Sequence, residues 1–304
     1  MTHYFVNRLF LGAFFINASA MAASGAETAK NMTTNYNNVV ENCGSATRPA
    51  FLCSGIMFRA TNPDTMYNSW DPSPASVQSG GVSFSYLRRD SKFNKLAYGF
   101  TNGLVLYPYS FAPEDKNTDL DVLCAFPIDA NTLERSDAGC GRNIISIEDN
   151  SIPCQEQGIE KAEDWANHYN GGYGDKHDEQ CGFATSEASR FDGVSAFYQS
   201  IVAMQKIPEE SINEQNELRL KTWDTTAENY PANFPIEAFF YIYKQVDLKE
   251  PIEKGLIGAQ HDQESFFNKT GIWVPIIRIS LPENYSKEAK FEYVGQDQSI
   301  PENL

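Results

Sequence analysis

Three short stretches decide how this chain is read: Cys53-Ser-Gly-Ile-Met-Phe-Arg59, Gly80-Gly-Val-Ser-Phe-Ser85 and, far downstream, Gln215-Asn-Glu217. The apolar run Ile56-Met-Phe58 follows a glycine, as a buried strand does, and carries Arg59 to the strand's end. At a period of two, Ser83 and Ser85 point to one face. Gly80 and Gly81 ahead of them permit close approach of a ligand or of another backbone. Gln215-Asn-Glu217 opens Leu218-Arg-Leu-Lys-Thr-Trp223, where apolar and polar residues alternate.

Outward from these stretches, strand-like runs dominate. Cys53–Ala60, Val82–Leu87, Asp121–Ile128, Glu217–Trp223, Ile236–Tyr243 and Trp273–Ser280 are rich in β-branched and aromatic residues between turn formers. Two helices are expected. One covers Ile159–Tyr169, and the other Gly193–Met204, where Val194, Phe197, Tyr198 and Ile201 recur at helical spacing. Asp192 is suited to cap the second and Pro208 to end it. The expected class is α+β, a mainly antiparallel sheet with packed helices. A loop-rich insert between Phe126 and Gly182 contains Cys140, Cys154 and Cys181.

The start of the chain reads as an export signal over residues 1–22. Arg8 precedes the apolar run Leu9 to Ile16, and Ala18-Ser-Ala-Met-Ala22 offers a cleavage site. Residues 23–42 are small and polar and are expected to form a flexible arm, with 43–304 as a single catalytic domain. The expected protein is secreted, or retained in the periplasm, and monomeric, with no membrane insertion. Six cysteines in an exported chain predict three disulfides. Short loops favour Cys43–Cys53 and Cys140–Cys154, leaving Cys124–Cys181. A net charge of −16 repels polyphosphate backbones and argues against a nucleic-acid ligand.

Several stretches are similar to the halovibrin family of secreted bacterial proteins. They are Pro49-Ala-Phe-Leu-Cys-Ser-Gly55, Ser69-Trp-Asp-Pro-Ser-Pro74, Gly80-Gly-Val-Ser-Phe-Ser-Tyr-Leu-Arg88, Cys124-Ala-Phe-Pro-Ile-Asp129 and Gln215-Asn-Glu-Leu-Arg219. The resemblance implies an NAD glycohydrolase, with or without ADP-ribosyl transfer to a protein acceptor. NAD is then a substrate, and no cofactor is implied. The order Arg, Ser-x-Ser, Gln-x-Glu also resembles the way ADP-ribosyltransferase-like folds hold NAD.

On that pattern Glu217 stabilises the developing ribose cation, Gln215 steers the nucleophile and Ser83 positions the carboxylate. Arg59 grips the diphosphate, with Ser85 and Gly81 contacting the ligand. Glu264, in Asp262-Gln-Glu264, is a rival carboxylate. Two other readings stay open: a secreted hydrolase using His168 and His177, and an exported binding protein without catalysis. A metal site at His177-Asp-Glu-Gln-Cys181 has no H-e-x-x-H motif beside it, and a solvated loop is the expectation there.

Overall fold

The structure is a computed structural model and describes residues 14–61, 68–72, 74–78, 81–108, 121–130, 140, 152–170, 180–206, 215–228 and 230–298. Its strands are β1 Ile56–Thr61, β2 Gly81–Leu87, β3 Asn102–Leu106, β4 Val122–Phe126 and β5 Phe183–Ala184. They continue with β6 Glu217–Lys221, β7 Ile236–Lys244, β8 Ile276–Ser280 and β9 Lys290–Glu292. The helices are α1 Phe14–Asn37, α2 Pro74–Gln78, α3 Ala162–Asn170, α4 Gly193–Gln205 and α5 Ile252–Thr270.

Among the described residues the strands form one sheet in the order β5-β4-β6-β2-β1-β3-β7-β8-β9. All neighbours are antiparallel except β7 and β8, which run parallel. The exception follows from connectivity: a parallel pair needs a long crossover, and α5 provides it. The α+β class stands, with a mixed sheet.

Alternation along the strands divides the core between two faces. Phe58, Leu87, Val105, Phe240 and Ile277 meet α1 and α3 on one side. Phe84, Leu104, Leu218, Phe239 and Ile276 belong to the core on the other, which α5 covers over β3, β7 and β8. Gly255 and Gly258 bring α5 close to β3. A Cβ at Gly255 would stand 2.8 Å from the Thr101 carbonyl oxygen, and one at Gly258 would stand 2.7 Å from the Asn102 side chain. Asp192 caps α4 as expected, its Oδ1 accepting from the backbone N–H groups of Val194 and Ser195 at 3.1 and 3.3 Å.

The segment expected to be a flexible arm is different. Helix α1 continues to Asn37, and Met32 and Tyr36 are buried in the core with α3 and the sheet. The Tyr36 hydroxyl donates to Glu288 at 2.7 Å, and its ring packs edge-on against Phe291. Composition missed this because small polar residues supply the exposed side of the helix while two large side chains anchor the other. No helix among the described residues is long and apolar enough to cross a membrane.

The disulfides are Cys43–Cys53, Cys124–Cys140 and Cys154–Cys181. The first matches expectation, and the other two correct it. Pairing of β4 with β5 brings the 180–184 segment alongside the cysteines of the insert. The Gly182 N–H donates to the Cys140 carbonyl at 2.6 Å, and the Cys154 N–H donates to the Gly182 carbonyl at 2.9 Å. Strand pairing therefore overrides the shortest-loop rule. Digestion without reduction should yield a peptide joining Cys124 to Cys140 and another joining Cys154 to Cys181, with no titratable thiol in the denatured protein. A Cys140–Cys154 peptide would contradict the pairing.

Candidate functional site

The site is built on the face that carries Phe58 and Leu87. Strand β6 lies between β4 and β2, with Glu217 opposite Phe126 and Arg219 opposite Ser83. Period two sends Glu217, Arg219, Ser83 and Ser85 to this side, while Leu218, Leu220, Val82 and Phe84 enter the core of the opposite face. The Ser83 Oγ donates to Glu217 Oε1 across 134 residues of sequence. Glu217 Oε2 accepts the Ala130 N–H at 3.1 Å. Glu217 is only 3% exposed, whereas Ser83 faces solvent. The pair is thus a carboxylate held from behind with an accessible hydroxyl in front.

Gln215 is part of the frame around this carboxylate. Its Oε1 accepts the Ala97 N–H at 2.6 Å, its Nε2 donates to Asp129 Oδ2 at 3.2 Å, and its carbonyl accepts the Asp129 N–H at 2.7 Å. The side chain is buried. It therefore fixes the 97 and 129 segments, and the expectation that it steers a nucleophile is corrected. Asn216, for which no role was expected, bonds both backbone groups of Tyr86 at 2.8 Å and Ser91 Oγ at 3.1 Å. It extends the contact between β2 and the chain just ahead of the first residue of β6. Gln180 holds the carbonyls of Ile128 and Asp129 at 2.8 and 3.1 Å. Asp129, Ala130 and Gln180 were also missed. Nothing in their local sequence assigns them this role, and only the pairing of β4 with β5 and β6 brings the 128–130 segment to Glu217 and Gln180 to that segment.

Gly81 gives close approach to a side chain rather than to a ligand. A Cβ there would lie 2.4 Å from Arg219 Nε, so glycine is what lets Arg219 lie flat across β2. Ser85 is buried opposite Phe58 and out of a ligand's reach. Both assignments as ligand contacts are corrected by these surroundings. Gly80 lies outside the described residues.

Arg59 is on the other face. It alternates with Phe58, so its side chain runs beneath α5, where Nη1 donates to the carbonyls of Ser69 at 2.8 Å and Asp71 at 3.3 Å. Asp262 of α5 accepts the Ser69 N–H at 2.9 Å in the same cluster. Burial pushes the Arg59 guanidinium down to about 10, and the nearby Asp262 pulls in the opposite direction. Arg59 is a clamp on the 68–72 loop and not a diphosphate ligand beside Ser83 and Glu217. The expected convergence of all three residues in one cleft is corrected to a pair.

Glu264 sits exposed in the middle of α5, away from any strand mouth. His168 lies half-exposed in the last turn of α3, and His177 lies outside the described residues. Among the described residues no group of three or more His, Cys, Asp or Glu side chains is arranged to hold a metal ion. No family model matches the chain, and no curated protein matches it in sequence.

Proposed function

We propose that this protein is a secreted NAD-consuming enzyme, with Glu217 as the carboxylate that faces the reacting ribose. The observation that carries the reading is the hydrogen bond from Ser83 to Glu217 between neighbouring strands. It matches the pattern of ADP-ribosyltransferase-like folds, and the resemblance of several stretches to the halovibrin family points to the same activity.

The chemistry asks for such a pair. The bond between the ribose C1′ and the nicotinamide nitrogen breaks, and its electron pair leaves with neutral nicotinamide. The ribose passes through an oxocarbenium-like state, as in glycoside cleavage. A water oxygen, or an acceptor nucleophile, then bonds to C1′ and releases one proton. A carboxylate fixed beforehand by Ser83 and the Ala130 N–H needs little reorganisation as positive charge develops. The exposed Ser83 marks the side from which the ribose approaches.

Incubation of purified protein with NAD, following free nicotinamide, tests the proposal. Nicotinamide should appear in step with ADP-ribose in the absence of an acceptor, and His168→Ala should leave the rate within about threefold of wild type. Loss of activity on His168→Ala with the fold intact would favour the histidine hydrolase. Inertness of the wild type toward NAD would favour a binding protein.

A further inference from the structure

A cavity of about 430 Å³ opens between the 95–101 and 245–250 segments, within the range of roughly 300–1,000 Å³ usual for small-molecule sites. It is tied to the candidate site through Ala97, which lines it and donates its N–H to Gln215. Tyr98 (φ 55°) and Asp247 (φ 53°) are the non-glycine residues with left-handed backbone among those described, and both line this cavity. Such conformations cost of the order of 1–3 kcal/mol and persist where the surroundings enforce them, often at ligand sites. Here the frame is the Leu96 N–H bonded to Gln245 at 3.0 Å and the Val246 N–H bonded to Asn94 at 2.9 Å.

The side chains sort by chemistry. Tyr98 is 60% exposed, and its ring is steadied by Phe100 at 5.5 Å, which makes it a platform for a planar base. Thr101, only 2% exposed, has a hydroxyl oxygen with no hydrogen-bond partner among the described residues. A buried hydroxyl without a partner is costly. Lys95 and Lys249 line the cavity in a chain of net charge −16. Glu250 is engaged by Lys254 at 3.0 Å, leaving the Asp247 carboxylate as an acceptor of the kind that suits a ribose diol.

We propose that this cavity binds the purine-nucleotide part of the substrate, with the base on Tyr98 and phosphate at Lys95 and Lys249. The inference rests on the reading of Glu217 as the cleavage site, and it supplies the phosphate-binding cations that Arg59 cannot.

Calorimetric titration with AMP tests it without requiring cleavage. Wild type should bind AMP. Tyr98→Ala should weaken binding by about tenfold or more, as loss of a base–aromatic stack does. Tyr98→Phe should restore it, and Glu217→Gln should leave it unchanged. Thr101→Val should weaken AMP binding without lowering the melting temperature, since it removes a hydroxyl that has no partner among the described residues. AMP binding that ignores Tyr98→Ala in a folded variant, or no AMP binding at millimolar concentration, overturns the proposal. Tyr98-dependent AMP binding without nicotinamide release would keep the cavity and sink the cleavage reading. Nicotinamide release without Tyr98-dependent AMP binding would do the reverse.

Discussion

Replacement of Glu217 by glutamine is expected to slow nicotinamide release from NAD by roughly 10²–10³-fold, the scale of losing one preorganised electrostatic partner of the transition state. The fold should survive, because a glutamine fits the same two bonds. Its oxygen can accept the Ala130 N–H, and its amide can donate to Ser83 Oγ, a hydroxyl that both gives and receives. KM should stay within about threefold, since only charge that matters in the transition state is removed. Ser83 acts through Glu217, so Ser83→Ala should lower kcat less, by about tenfold, and Ser83→Thr should recover most of it by keeping the hydroxyl. A Glu217→Gln protein as fast as wild type would remove Glu217 from the chemistry.

The second large effect is on stability. Glu237 is 3% exposed at the β-bulge where the register of β3 against β7 shifts. Its Oε2 has no hydrogen-bond partner among the described residues, and burial raises the carboxyl to about 8. The folded pKa is above the unfolded one, so the native state binds the extra proton. The resulting stability is complete below about pH 4.5 and is lost as pH rises toward 8. The loss should be on the order of 4 kcal/mol, at 1.36 kcal/mol per unit. Glu237→Gln should flatten this limb, matching wild type at pH 4.5 and exceeding it at pH 8.5 in urea unfolding. Parallel wild-type and variant profiles across that range would contradict it. Asp262 and Asp71, also raised by burial, keep their slope in both proteins, so the difference isolates Glu237.

Much of the sheet could be read from local pattern. The strands at Ile56, Gly81, Glu217 and Ile236 begin within a few residues of expectation, because alternation and β-branched content survive in each. The meeting of Ser83 with Glu217 was expected only from the resemblance to the ADP-ribosyltransferase pattern, since alternation tells which residues of one strand share a face and not which strand lies beside it. The side on which Arg59 falls was not legible. It depends on Phe58 pairing with Ser85, and register is set by tertiary packing that a single strand does not encode.

Two elements were hidden by glycine. Strand β3 begins with Asn102-Gly103, a turn signature in isolation. Inside the sheet it is needed because a Cβ at Gly103 would lie 1.9 Å from the Arg59 carbonyl oxygen. Helix α5 contains Gly255 and Gly258, which lower its helix propensity while allowing it to lie close against β3. In both cases a local penalty is accepted for close packing, and only the assembled fold reveals the compensation.

The most direct test of the central claim is a crystal structure of the protein with an uncleavable NAD analogue. The account predicts the anomeric carbon of the nicotinamide ribose on the Ser83 side of the sheet, within contact of the Glu217 carboxylate, with the purine against Tyr98. An analogue bound beneath α5 at Arg59, or one whose anomeric carbon lies away from Glu217, would contradict it.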